Sequence, residues 1–478
     1  MNPTLLEVLS EEDLRLLDRA SKEILFEVGI GIRSREILQI LEDRGLIVDQ
    51  DRSTVKFEES TVVAALSQVP ESIELYDRDK NRSFVLGRGN PPRFASGFNA
   101  VFHLPGGSTD RQPATKKQVA DYAGLSNQLE FIDVVGPQAL PQDVPQSSAI
   151  LHALDAVLNS TVKPVLFAPE NDHEMSSIIE ILRIVTGGNN LNETPIGLCQ
   201  FSPSSPLFWN EGTIRGFMMV AEQGLPCTIL PGPLAGATSP YTLASTLVQR
   251  NCEVLSAVVI AQLLRPGAPL LCYNGGGQFD MQSSAAVLSS PEVALMIMAG
   301  NQLARYYHLP THACIPSSDS HCLDEQVGME NMMLMLTGVF SETDLLVNAG
   351  MFATGQTAAL EQLLVDHEMI RMVKRIMEGI RVDKDHLCLD AMKRVGPMGN
   401  FLDDESTLEY LRSGEWWSYD LISRQTYESW CSRGRKTMVD RATQRLGESQ
   451  TESISMLVEE KQKRIAEIIR EHELKYRS

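Results

Sequence analysis

From residue 116 onward the hydrophobic pattern of the chain changes period again and again. Apolar residues spaced three and four apart, as in "TKKQVADYAGLSNQL", "SSAILHALDAVLNST" and "NDHEMSSIIEILRIVTGG", mark amphipathic helices. Between such runs lie short stretches with no polar face: "FIDVVGP", "KPVLFAP", "PIGLCQFSP", "PCTILPGP", "PLLCYNGG", "PTHACIPSS" and "DLLVNAGM". Strands that are apolar on both faces belong in a parallel sheet covered by helices. Alternation at this period predicts βαβ units. Seven such strands, with an eighth masked, predict a closed (β/α)8 TIM-like barrel rather than a doubly wound open sheet.

The flanks follow other patterns. Residues 1–115 read as an addition of capped helices ("SEEDLRLLDRASKEILFEVG", "SREILQILEDRG") and short hairpin strands ("SIELYDRDKNRSFVLGRG", "RFASGFNAVFHLPGGSTDRQPA"). Residues 116–400 hold the barrel. Residues 401–478 form a helical tail packed on it, rich in aromatics at first and ending in the charged amphipathic "SISMLVEEKQKRIAEIIREHEL".

Composition narrows the partners. A net charge of -20 and a pI near 4.9 argue against nucleic acid and anionic membranes, which need basic surface. No apolar run approaches a membrane span in length, and the acidic, helical start lacks a signal peptide. The eight cysteines form no CxxC pair and several sit in apolar runs, as buried thiols do in a reducing compartment. A cytoplasmic protein is expected.

In a barrel the chemistry sits where strands end and the following loops begin. Those ends read "GPQALPQDVP", "FAPEN", "CQFSPSSP", "LPGPLAGATSP", "YNGGGQFD", "IPSSDSHCLDEQ" and "NAGMFATG", and they contain neither lysine nor arginine. A phosphate site would show basic residues. This acidic, amide-rich and partly aromatic lining suits a cation, above all a quaternary ammonium. The run Gly275–Gly277 is not a dinucleotide loop, because Asp280 stands where the last glycine of GxGxxG belongs; nor is it a Walker loop, because no lysine follows. No metal is expected: His173 and His367 lack the second histidine of HExxH, and the cysteines lack zinc spacing. "DSHCLD" has the D-x-H core of a corrinoid-ligating motif but carries Asp324 in place of its glycine. A barrel lyase or hydrolase working through paired strand-end carboxylates is the alternative enzyme, and a betaine-binding protein the non-catalytic one.

Five stretches together resemble the trimethylamine methyltransferase family: "GPQALPQDVP" with "LHALDAVLNSTVKPV", the "YNGGG" region, "IPSSDSHCLDEQVGMENMMLMLTG", "LLVNAGM…TAALEQLLVDHEM", and "VGPMGNFLDDESTLEYLRSGEWW". The family's founders carry pyrrolysine near the loop that is "SSDSHCLD" here, where every residue is ordinary; the chain therefore resembles the non-pyrrolysine branch. The resemblance implies N-demethylation of a quaternary amine such as glycine betaine, proline betaine or carnitine. The methyl would pass to cob(I)alamin on a separate corrinoid protein, and the enzyme would be a homo-oligomer. It departs from the family at Asn400, which replaces the histidine of "GGHFL". On this reading Phe98, Tyr273, Phe279 and Phe352 would supply an aromatic cage, and Asp280 or Asp319 would balance the cation. Gln138, Gln200, Asn274 and Asn348 would bond the substrate carboxylate or the corrinoid amides. His321 would meet a carboxylate, and Gly275, Gly276 and Gly277 would leave room for the corrin at the mouth.

Overall fold

The computed structural model describes residues 6–448 and 457–476 apart from Arg82, Gly107 and Asn189; the first residues of the last amphipathic stretch lie outside them. Seven parallel strands form one sheet: β1 (Arg93–Ser96), β3 (Val165–Phe167), β4 (Gly197–Phe201), β5 (Cys227–Ile229), β6 (Leu270–Tyr273), β7 (Thr311–Cys314) and β8 (Leu345–Ala349). β8 pairs with β1, and residues 134–135, here β2, bridge β1 through Ala95 and β3 through Val165. The ring is thereby closed with eight strands. The strand masked in the sequence is β1, which lies ahead of residue 116 within the stretch read as hairpins. "YNGGG" accordingly ends the sixth strand of the barrel.

Eight helices link the strands: α1 (Lys116–Gln128), α2 (Ala149–Leu158), α3 (Asp172–Thr186), α4 (Glu211–Gln223), α5 (Leu243–Leu264), α6 (Pro291–Tyr306), α7 (Glu325–Phe340) and α8 (Leu360–Glu378). Local sequence fixes where they start. Asn171, Asn210, Thr242, Ser290 and Asp324 each accept a bond from the first turn of the helix they precede. α5 is long and apolar enough to cross a membrane, contrary to the expectation that no run would be, but most of it is buried. The N-terminal helices Glu11–Glu27 and Glu59–Leu66 pack on its outer side.

Two layers fill the barrel. At the end where the strands begin, the hairpin Ser72–Tyr76 with Ser83–Gly87 inserts Ile73, Leu75 and Leu86 against Ala95, Val134, Leu166, Leu198, Leu271, Leu345 and Val347. This apolar plug closes that end. Above it, toward the strand C-termini, the inward positions turn polar. Of the tail, the helices Met438–Glu448 and Glu459–Lys475 pack on α8 and α3, whereas Glu405–Ser413 buries none of its residues.

Candidate functional site at the barrel mouth

Strand parity decides which side chains face inward. Side chains alternate along a strand, and directly paired residues share a face. Leu198 and Leu271 belong to the inner plug, so Gln200 and Tyr273, two residues on, also point in. Thr228 pairs with both Gln200 and Leu271. His312 pairs with Tyr273 and Leu345, and Cys314 with Val347. The plug is therefore topped by Gln200, Thr228, Tyr273, His312 and Cys314. The Tyr273 and His312 rings lie 5.4 Å apart.

This layer is polar yet carries no charge at neutral pH. Burial drives the His312 imidazole down to about 3 and the Cys314 thiol up to about 12, and it raises the Tyr273 phenol. The Gln200 Oε1, the Thr228 Oγ1 and both ring nitrogens of His312 are buried without a hydrogen-bond partner among the described residues. Leaving such atoms unpaired costs about 1–3 kcal/mol each, so a cluster of them at one place marks a site made for something else to bind. One fixed cation, Arg250 on α5, lies behind the wall. Its guanidinium donates to the Tyr273 carbonyl (3.3 Å), and burial lowers its pKa to about 10.

Gln138, just past β2, joins the same mouth. Its Nε2 donates to the Ala349 carbonyl (2.9 Å), while its Oε1 is another buried atom without a partner. The slot for this amide is made by two glycines: a Cβ at Gly97 or Gly350 would come within 2.9 or 2.8 Å of Gln138 Nε2. Gly350 is held in turn by Asp366 on α8. That carboxylate accepts from Gly350 N (2.7 Å), Asn331 Nδ2 (2.8 Å) and Gln362 Nε2 (2.7 Å), and complete burial pushes it up to about 7. Beside Gly350, Asn348 sits at a β-bulge with φ of 119°, a conformation that disfavours any side chain. Phe98 follows β1, partly exposed, and packs on the plug.

Several expected residues go elsewhere. Asn274 faces out of the barrel, where its amide donates to Asn301. Phe352 is fully buried in a separate cluster with Leu104, Val327 and Ala359. Asp280 caps a solvent-facing turn through Gln282 N and Ser283, which holds its carboxyl below the usual range. Phe279 precedes it on the strand Gly277–Asp280, which pairs with Ala285–Val287 as a hairpin over the mouth. Asp319 accepts from Leu288 N (3.0 Å), Ser289 N (3.0 Å) and Thr354 Oγ1 (3.2 Å), so it ties together the loops after β6, β7 and β8. The two carboxylates are thus engaged in loop structure. His321 is exposed on the rim. The glycine run serves packing: a Cβ on Gly275 would overlap the Tyr273 ring, one on Gly277 would meet Leu234 and Leu288, and one on Gly276 would stand 3.2 Å from the Met296 sulfur. Sequence reasoning missed Thr228, His312, Cys314 and Asp366. For Thr228 and His312 the available signal was a polar side chain within a strand otherwise read as core; Asp366, on helix α8, carried no such signal.

A (β/α)8 barrel with a closed floor and an unsatisfied polar cup at its strand C-termini has the layout of a barrel enzyme. Residues 2–470 match the model of the trimethylamine methyltransferase (MTTB) family, and the chain belongs to that family of methyltransferases. It is 31% identical over 434 residues to the trimethylamine methyltransferase MttB of Desulfitobacterium hafniense, covering 91% of this chain and 87% of that one. It is 28% identical to a glycine betaine methyltransferase of the same species, covering 90% and 89%. The crystal structure of the monomethylamine methyltransferase MtmB of Methanosarcina barkeri matches with a TM-score of 0.55 at 12% identity, covering 93% of this chain and 88% of that one; this likeness is one of fold.

Proposed function

We propose that this chain removes a methyl group from a quaternary amine of the betaine type and delivers it to a corrinoid carried by a separate protein. The observation that carries the reading is the uncharged, acceptor-rich cup around Tyr273. A quaternary ammonium has no N–H to donate. What it offers is positive charge spread over its methyl groups, which suits ring faces and oxygen acceptors. The Tyr273 ring and the oxygens Gln138 Oε1, Gln200 Oε1 and Thr228 Oγ1 provide both. His312, neutral at physiological pH, does not repel the cation, and its one N–H is free to meet the carboxylate at the other end of a betaine.

The chemistry asks little else of the protein. When its nitrogen leaves, a quaternary amine becomes a neutral tertiary amine, so no proton has to be supplied. The corrinoid supplies the nucleophile that accepts the methyl. The mouth suits such a visitor, since its floor is closed by the plug and its rim carries the exposed His321 and the partly exposed Phe98 and Phe279. The residues of this chain hold the cation, aim one methyl toward the opening and exclude water. Eight free thiols fit a reducing compartment, and a cytoplasmic location is part of the proposal.

Titration calorimetry with glycine betaine and with its uncharged-head isostere 3,3-dimethylbutanoate tests this reading. Recognition of the cation predicts weaker binding of the isostere by about 1–2 kcal/mol, roughly tenfold. Equal affinities would mean that the cup does not read charge.

A further inference from the structure

Arg250 is a buried charge without a counter-charge. It lies on α5 behind β6, is 2% exposed, and stays ionised at neutral pH although burial lowers it to about 10. Among the described residues no carboxylate comes within ion-pair distance of it, and its Nε has no hydrogen-bond partner. Glu253, three residues further along α5, accepts from Ser205 Oγ (2.8 Å) and Leu207 N (2.9 Å) instead. Burial raises that carboxyl to about 7, so it is only partly ionised at neutral pH. The fold nevertheless makes room for the guanidinium: a Cβ at Gly300 on α6 would overlap its Nη1 and stand 3.1 Å from its Cζ. An unpaired buried charge is strongly unfavourable. One bond of 3.3 Å to the Tyr273 carbonyl does not offset that cost.

The cup in front of this charge is polarised. Burial raises the Tyr273 phenol and the charge of Arg250 works against that rise, so its field reaches the barrel interior. His312, on the neighbouring β7, offers an N–H on the same side. β2 stands four strands away around the ring of eight and therefore faces β6. There Gln138 presents its unpaired Oε1, and the Asp366 carboxylate lies behind Gly350, which frames the Gln138 amide. A positive wall and an acceptor wall thus face each other across the cup.

We propose that Arg250 sets the substrate class of the cup by selecting a zwitterion, an ammonium joined to a carboxylate, over a bare cation; the inference rests on the quaternary-amine reading above. The carboxylate end faces β6 and β7, and the ammonium end faces Gln138. A fixed positive charge opposes any cation that enters, and repulsion of the wrong ligand discriminates as well as attraction of the right one. Between glycine betaine and choline the ammonium is common, so its repulsion cancels. What differs is a carboxylate in place of a hydroxyl. At about 10 Å and an effective dielectric of about 20, a unit charge favours the anion by roughly tenfold.

Titration calorimetry of glycine betaine, choline and 3,3-dimethylbutanoate on the full-length protein, native and Arg250→Gln, tests the assignment. Glutamine keeps a donor for the Tyr273 carbonyl and removes the charge. The native protein should bind betaine about tenfold or more tightly than choline. Arg250→Gln should lose about tenfold toward betaine and toward 3,3-dimethylbutanoate, while choline binding stays level or tightens. Arg250→Lys, which keeps the charge, should keep the native preference. A group that only props up Tyr273 would, when lost, weaken both ammonium ligands together and leave their ratio unchanged; that result overturns the proposal. Native affinities for betaine and choline within about threefold of each other overturn it as well, so a variant that fails to fold does not shield it. Binding of neither ammonium ligand would overturn the quaternary-amine reading and this inference with it, whereas equal binding of both overturns the inference alone.

Discussion

Gly275→Ala perturbs the cup without removing any group from it. The glycine φ lies outside the left-handed range, so alanine strains no backbone there. The obstacle is steric: the new Cβ would stand 3.0 Å from Tyr273 Cε1 and overlap Cζ and the hydroxyl more deeply. Carbon atoms pack at about 3.5–4.0 Å, so the ring must move by about 1 Å to make room. Overpacking of this kind costs about 1–3 kcal/mol of stability. The larger effect is on function. A displacement of about 1 Å in a positioning group lowers turnover by about 100-fold, and loss of the ring face lowers affinity by about 1 kcal/mol. The assay is demethylation of glycine betaine, with calorimetry of the same ligand and urea unfolding as a check on the fold. Tyr273→Leu separates causes. If the methyl acts only through the tyrosine, adding Gly275→Ala to Tyr273→Leu changes activity little further, because the two sites share one interaction. A folded Gly275→Ala enzyme with native turnover and affinity would refute the placement of Tyr273 in the site.

Other outcomes follow from named groups. His312 is held near 3 when folded and returns to about 6.5 when unfolded, so its contribution is complete above about pH 6.5 and drains away as pH falls toward 3; His312→Asn should flatten the rise of unfolding free energy between pH 4 and 6.5 by up to about 1.4 kcal/mol per pH unit. Asp366, raised to about 7, works in the opposite sense, stabilising most below about pH 4 and progressively less as pH rises to 7; Asp366→Asn should remove that loss while costing about 1–3 kcal/mol for a mismatched donor, seen in urea midpoints at pH 5 and 8. Asn348→Gly should raise stability by about 1 kcal/mol by relieving its positive φ, and should lower activity if the amide serves the cup. Asp280→Ala should leave betaine affinity within about twofold, since its carboxylate holds only its own turn; a loss of tenfold or more would return it to the site.

The alternation of helix and strand periods made most of the barrel legible. β1 escaped because "RFAS" is short, stands among proline and glycine, and is not preceded by an amphipathic helix of the repeating kind. Within the mouth, residue type was legible but direction was not. Tyr273 and Asn274 are neighbours, yet one faces the cup and the other α6, and only the register with Leu271 and His312 separates them. Thr228 and His312 hid inside runs read as strand core, although a histidine in "THAC" has no apolar reason to be there. Asp280 and Asp319 were chosen for their charge, which turns and loop backbones had already claimed. Phe352 could not be told from a cage residue, because burial in a satellite core leaves no mark in the local pattern.

The central claim is that the cup accepts a quaternary amine and yields its methyl to a corrinoid. Its most direct test mixes this protein with a corrinoid protein reduced to Co(I) and follows the Co(I) absorbance on addition of glycine betaine, proline betaine, carnitine or trimethylamine. The account predicts loss of the Co(I) band with at least one quaternary amine, and appearance of the matching tertiary amine in equal amount. A Co(I) band unchanged by every quaternary amine, or lost only with trimethylamine, would contradict it.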